Sequence, residues 1–323
     1  MSLPVEKGLA RWSLARWSTA RWSLPIAIAL MVIWGVNFSV TKTILDQVSV
    51  SAMLFVRFLW MMLLGLAMLA WLYRGRFASS LPHRRDWPRF LAAGLIGHTA
   101  HVGIVTWGLH LSTPFSSSLV LTSGPLWTLL ILVALGAEKL RTPQVVGTVA
   151  AFLGILLFMS DKFSSGVLRA GLGDLVLLLA AGLFSLYTVV TRPLTSRYGA
   201  PVLLGYTLLV GAPPVLLFTL PAFLAESWRE LPATIWVWMF YAVTISSFLG
   251  WLGWAWINQV RGVAKSAPLM YMMPPIAGVV SWITLGENFT WLKITGALVT
   301  MAGVAWAQFG SGTKHTVSQA DSG

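Results

Sequence analysis

Apolar residues in this chain come in long blocks, separated by short polar or basic stretches. An α-helix rises ~1.5 Å per residue, so about 20 apolar residues cross a hydrocarbon core of ~30 Å. The blocks predict helices over roughly 24–45, 51–73, 88–110, 114–136, 144–161, 173–191, 201–222, 234–257, 264–286 and 290–309. The connections are too short for a separate soluble domain. No small-residue cleavage site follows the first block, which therefore reads as a retained span.

Composition agrees. Of 323 residues, 57% are hydrophobic and 10% charged, against about 25% charged in a soluble domain. The net charge of +12 does not indicate nucleic-acid binding, because the basic residues cluster between apolar blocks as they do in cytoplasmic loops. Lys7, Arg11, Arg16, Arg21, Arg74, Arg76, Arg84, Arg85 and Arg89 fall on one side, with Lys139, Arg141, Arg192, Arg197, Arg261, Lys265 and Lys314. The other side has Lys162, Arg169, Arg229 and Lys293. The positive-inside bias puts both termini in the cytoplasm of a bacterial inner membrane. Arg-Trp-Ser, repeated at Arg11, Arg16 and Arg21, reads as a basic interfacial tail. The absence of cysteine excludes disulfides, thiol catalysis and cysteine-ligated metal.

The chain repeats itself. At an offset of 149, Ser117, Pro125, Glu138, Gly147 and Gly154 match Ser266, Pro274, Glu287, Gly296 and Gly303. At an offset of 150, the segment from Trp34 to Lys42 matches that from Phe184 to Arg192. Each half has five spans, an odd number, so the second half enters the membrane inverted. Inverted repeats are a signature of secondary transporters, with the site at mid-depth between the halves. The expected architecture is an all-α membrane protein of ten transmembrane helices in two inverted five-helix repeats. A cytoplasmic tail at 1–23 precedes repeats at 24–161 and 173–309, and a second tail follows at 310–323.

At these motifs the chain resembles the EamA-type branch of the drug/metabolite transporter superfamily. The resemblance rests on Trp34-Gly35-Val36-Asn37-Phe38 with Lys42, Arg57-Phe58, Gly124-Pro125-Leu126, and Gly136-Ala137-Glu138-Lys139-Leu140 with Pro143 and Gly147. The second half repeats it in Pro274, Leu285-Gly286-Glu287 and Gly296. It covers about residues 24–309 and implies ten spans, both termini inside, and transport of small metabolites, often outward. Amino acids, nucleosides and drugs are typical substrates of that family. The chain departs from the pattern at Met273, where many relatives carry a polar or acidic residue, and this weakens any proton-handling role there.

Candidate chemistry follows from polar, aromatic and helix-breaking residues inside spans. Pro125, Pro274 and Pro275 remove backbone donors and free the carbonyls of Leu121, Met270 and Tyr271. In hydrocarbon such groups must face protein or a wet cavity, so these prolines mark either packing kinks or broken helices on a substrate path. His98 and His101 are three apart on one helix face, and suit interhelical hydrogen bonding, substrate or proton contact. The pair alone supplies too few ligands for a metal. Trp34 and Asn37, with Tyr187 and Tyr271 at matching depths in the second half and Trp254 on the eighth span, complete a candidate substrate site. For each, core packing is the competing reading. Lys42 and Arg57 near the periplasmic ends read as anchors that snorkel or as an external gate. Glu138 and Glu287 read as carboxylates accepting N–H bonds from the next helix, and Asp174 as the N-cap of the sixth span. The paired Gly147/Gly154 and Gly296/Gly303 faces suit close helix packing, within the chain or in a homodimer.

No acidic residue is expected deep in a span, so proton coupling lacks its usual carboxylate. No Walker A motif is present and no cofactor is implied. Ser123 with His98 or His101 could sketch a hydrolase, but Gly-x-Ser-x-Gly is absent. The reading is a non-enzymatic exporter of a small metabolite such as an amino acid, working by alternating access in the lipid bilayer. A membrane ligand sensor or non-transporting scaffold is the alternative.

Overall fold

A computed structural model describes residues 22–74, 80–136, 141–164, 168–261 and 266–309. The basic N-terminal repeats, Glu138, Lys139, Lys265 and the tail from residue 310 lie outside the described residues. Among the described residues the chain is helical, with no strand.

Helix α1 spans Ser23–Leu45 and α2 spans Val50–Leu72. The Ser49 side chain caps α2 by accepting from the Ala52 amide, and Glu226 accepts from both the amide and hydroxyl of Ser49 at 3.1 and 2.7 Å. That carboxylate at a helix N-terminus is favoured by the helix dipole. Helix α3, Arg84–Leu111, contains a π-helical stretch at Gly94–Val102. Helix α4, Pro114–Ala134, is interrupted at Thr122–Ser123, just before Gly124-Pro125. Helix α5 covers Thr142–Ser164.

The helical run Leu168–Ala225 is two helices, because Gly199 adopts φ 79, ψ 166, a backbone region that L side chains rarely enter. We call them α6 (168–198) and α7 (200–225). Helix α8, Ala233–Arg261, has its own π-helical stretch at Tyr241–Leu249. Helix α9 starts as a 3₁₀ turn, Ala267–Met272, and becomes α-helical over Met273–Leu285, with Pro274 in its first turn. The Met270 carbonyl, freed by Pro274, accepts the Met273 amide instead. Helix α10 is Trp291–Phe309.

Among the described residues, seven helical runs are long and apolar enough to cross a membrane. Many large apolar side chains face outward, Phe218 at 81% and Trp291 at 83% exposed among them, as a surface that meets lipid would have. The halves are interlaced rather than side by side. Val40 and Ile44 of α1, Met53 and Phe58 of α2, Leu208 of α7 and Val243 of α8 share one core. Helices α5 and α10 pack together on their glycines. A Cβ on Gly154 would sit 2.4 Å from the Thr300 amide nitrogen, and one on Gly296 would sit 2.6 Å from that of Phe158. These faces are therefore occupied inside the chain and are not left for a dimer.

Two carboxylates differ from the sequence expectation. Helix α6 begins at Leu168, so Asp174 is not its N-cap. It is a fully buried acid inside a helix, accepting from the hydroxyls of Ser112 and Ser116. Glu287 does accept a helix N-terminal amide, but from Phe115 of α4 at 3.3 Å rather than from α10. In both cases a serine-rich turn between α3 and α4, distant in sequence, competes successfully for the acid.

Candidate functional site

A cavity of about 700 Å³ opens between the halves, walled chiefly by α4, α6 and α8. Its size lies in the range typical of small-molecule sites. Helix α4 contributes Pro125, Leu126, Leu129 and Leu132, an apolar wall. Helix α6 contributes Tyr187, Thr188, Thr191, Arg192 and Thr195, which recur at helical spacing and so face one way. Helix α8 adds Trp251, Trp254 and Asn258 by the same periodicity.

The two ends differ. At the mouth, Arg192, Ser196 and Gln259 are exposed. At the opposite end the α3–α4 turn is closed over. Ser112, Ser116 and Ser117 are buried. Asp174 from α6 and Glu287 following α9 both hold this turn. Lys42 of α1 donates to the carbonyls of Leu109, His110 and Ser112 at 3.3, 2.7 and 2.9 Å. A cation at a helix C-terminus satisfies carbonyls that the helix leaves open. Of the residues lining the cavity, Arg192, Ser196 and Gln259 at the mouth are the exposed ones.

The sequence candidates are distributed unevenly around it. Tyr187 and Trp254 form part of the wall. Trp34 stands one layer behind, its ring centroid 5.7 Å from that of Trp254 and its indole N–H donated to the Ser246 carbonyl at 2.9 Å. The Asn37 side-chain oxygen is buried and has no hydrogen-bond partner. His98 lies behind Tyr187 and Trp251, with centroids at 5.9 and 4.8 Å. Its Nε2 is 3.0 Å from the Thr207 hydroxyl. That hydroxyl already donates to the Leu203 carbonyl at 2.8 Å, so Nε2–H is the donor and Nδ1 carries a lone pair, buried without a partner. His101 donates from Nδ1 to the Ala180 carbonyl at 2.9 Å, its ring centroid 5.1 Å from Phe184. The π-helical turn directs the two histidines to different helices, α7 and α6, while both rings still meet Trp251.

Tyr271 is away from the cavity wall, packed near Leu126, Ala151, Val304 and Ala307 with its hydroxyl buried and unpartnered. Pro125 lines the cavity, whereas Pro274 and Pro275 stand where α9 changes from 3₁₀ to α geometry. The carbonyl of Gly124 beside Pro125 accepts from the Ser185 hydroxyl of α6 at 2.6 Å. Arg57 is remote from the mouth, 5% exposed, with one contact to the Thr106 hydroxyl at 3.2 Å and two guanidinium nitrogens unpartnered.

Sequence reasoning missed Arg192, Thr188, Thr191 and Asn258. Arg192 was counted as a loop charge, but it belongs to α6 and lines the cavity. Its match to Lys42 at the 150-residue offset was the available signal.

The EamA-like transporter family model matches this chain twice, over residues 21–160 and 171–308. Among curated relatives, a protein of Streptantibioticus cattleyicolor named as a probable terminal-alkyne amino-acid exporter is 26% identical, over 69% of this chain and 73% of its own length. Proteins of Salmonella typhimurium and Escherichia coli, each named as a probable amino-acid metabolite efflux pump, are 22% identical. They cover 90% and 88% of this chain and 96% and 94% of their own lengths. A solved crystal structure with no functional description shares the fold with TM-score 0.61 at 20% identity, over 88% of this chain and 96% of that one.

Proposed function

The chain belongs to the EamA-like transporter family, and from that premise we propose that it exports a small metabolite of the amino-acid type by alternating access. It is a multi-pass membrane protein and a transporter; the substrate class, direction and mechanism are the proposal. The observation that carries it is the cavity between the halves, exposed at its mouth, with Asp174, Glu287 and Lys42 holding the α3–α4 turn beyond its other end. A ligand site that reaches one face at a time is what alternating access requires.

In this reading α1–α5 and α6–α10 are the two inverted repeats, and both termini face the cytoplasm of a bacterial inner membrane. The open mouth then faces inward, since Arg192, Arg141 and Arg197 cluster at that end by the positive-inside bias. Loading occurs from the cytoplasm. Release requires the α3–α4 turn to leave Asp174 and Glu287 while the mouth closes. Tyr187, Trp251 and Trp254 give the bound molecule aromatic surface, and His98 and His101 brace two of those rings from behind. The names of the relatives support amino-acid metabolites as the first class to test.

The test is flux of labelled amino acids, nucleosides and cationic drugs in vesicles reconstituted with the full chain, with and without a pH gradient. Saturable movement of amino acids, reduced by Trp254→Ala, is the expected result. Saturable binding with no flux in any direction would replace transport with ligand sensing.

A further inference from the structure

We infer that the cavity recognises a zwitterion, holding its carboxylate at Arg192 and its ammonium at the oxygens of Thr188, Thr191 and Asn258. The inference rests on the transport reading and names the polar determinants of the same site.

Charge is the first ground. Among the described residues lining the cavity, Arg192 carries the one charge, and no carboxylate is present. Arg192 has no ion-pair partner among the described residues. A cavity with a lone guanidinium repels an organic cation and attracts an anionic group, which a guanidinium can bind through two parallel hydrogen bonds. The related position in the first half shows what such a cation does when satisfied. Lys42 there is engaged by three carbonyl oxygens at the closed end, whereas Arg192 at the open end faces the cavity. A substrate carboxylate supplies Arg192 with the acceptors that Lys42 finds in the backbone.

Hydrogen-bond polarity is the second ground. The hydroxyls of Thr188, Thr191 and Thr195 each donate to a backbone carbonyl of α6, those of Phe184, Tyr187 and Thr191, at 2.9, 2.8 and 3.0 Å. Their only proton is thereby engaged, so each offers lone pairs to the cavity. The Asn258 side-chain oxygen, across on α8, is buried and unpartnered. A stripe of acceptors opposite an unpaired acceptor suits a group that donates several hydrogen bonds, as an ammonium does. One turn along α6 separates Thr188 from Arg192, a spacing that places the two kinds of group side by side on one helix face. The apolar wall of Leu126, Leu129 and Leu132 receives the remaining side chain.

The purified full chain tests this through ligand-induced thermal stabilisation and direct binding. The probes are leucine, phenylalanine and tryptophan, each compared with its amine (isopentylamine, 2-phenylethylamine, tryptamine) and its deaminated acid. At least one amino acid is expected to bind about 10- to 100-fold more tightly than either its amine or its acid, as loss of a charged hydrogen-bonded partner implies. Arg192→Gln should bring that amino acid down to the level of its amine, and Arg192→Lys should recover part of the difference. Asn258→Leu should remove the advantage over the deaminated acid. Amines binding as well as amino acids, an unchanged preference in Arg192→Gln, or no binding by any of the three amino acids would overturn it. Flux of amines without carboxylate preference would overturn zwitterion recognition and leave export standing. Amino-acid binding without flux would do the reverse.

Discussion

Replacing Gly303 by alanine should destabilise the protein, although alanine is the better helix former. The added Cβ would lie 2.4 Å from the Ala151 amide nitrogen and 2.7 Å from the Gly147 carbonyl oxygen, both backbone atoms that cannot rotate aside. Ordinary contact begins near 3.4 Å, so α5 and α10 must part by about 1 Å. A gap of that size forfeits a quarter to a half of each dispersion contact along the interface, which includes Ile155 and Phe158 on α5 and Val304 and Ala307 on α10. Overpacking of this kind typically costs about 1–3 kcal/mol, while Gly→Ala in a helix returns up to ~1 kcal/mol. With the full propensity gain subtracted, the net loss is about 0–2 kcal/mol. Gly103→Ala is the matched control: its Cβ meets nothing within 4 Å, so only the propensity gain remains. Thermal unfolding of the purified protein, followed by intrinsic tryptophan fluorescence, reads both variants. Gly303→Ala should unfold below the parent and Gly103→Ala at or above it. Adding Gly147→Ala to Gly303→Ala should cost less than the sum, because the two glycines touch and the helices have already parted. A Gly303→Ala protein as stable as Gly103→Ala would refute the close-packed interface.

Three other expectations follow from contacts elsewhere. Gly97→Ala places a Cβ 2.1 Å from the Tyr187 ring, so the ring should move into the cavity and vesicle flux of the transported substrate should fall; unaltered flux would separate Tyr187 from the path. Asp174→Ala leaves the buried Ser112 hydroxyl without its carboxylate acceptor, weakening the closed end by about 1–3 kcal/mol. A cysteine at Ser117, buried in the parent and free of background because the chain has none, should then label faster with maleimide. Arg57→Met removes a buried guanidinium with two unpartnered nitrogens, so stability should be unchanged or higher; a loss above ~2 kcal/mol would mean that the cation is well solvated in the membrane.

Helix positions were legible because long apolar blocks have one stable form in lipid, where each backbone donor needs a partner within its own segment. The break at Gly199 falls in the expected gap between the blocks ending at 191 and opening at 201, although α6 runs on through Arg192 and Arg197 before it. Tyr187 and Trp254, which line the cavity, were singled out by the match of Tyr187 to Asn37 and the place of Trp254 on an apolar span. Asp174 and Glu287 were each assigned to the nearest helix end in sequence and bond instead across the bundle. Arg192, counted as a loop charge, belongs to α6 and lines the cavity. The π-helical stretches in α3 and α8 had no visible signal, although the one in α3 carries both His98 and His101.

By itself the sequence determined the solvent, the approximate span positions and the internal repetition, all of which depend on one-dimensional quantities: block length, charge placement and spacing. Only the tertiary structure decided which polar groups meet. The α3–α4 turn is held by acids 58 and 172 residues away, and the cavity is formed where α4, α6 and α8 diverge. Lys42 and Arg192 occupy matched places in the repeat, yet one is engaged by carbonyls and the other faces a cavity. Which side of a symmetric pair is closed belongs to the arrangement of the helices in one conformation, and nothing local to either residue encodes it.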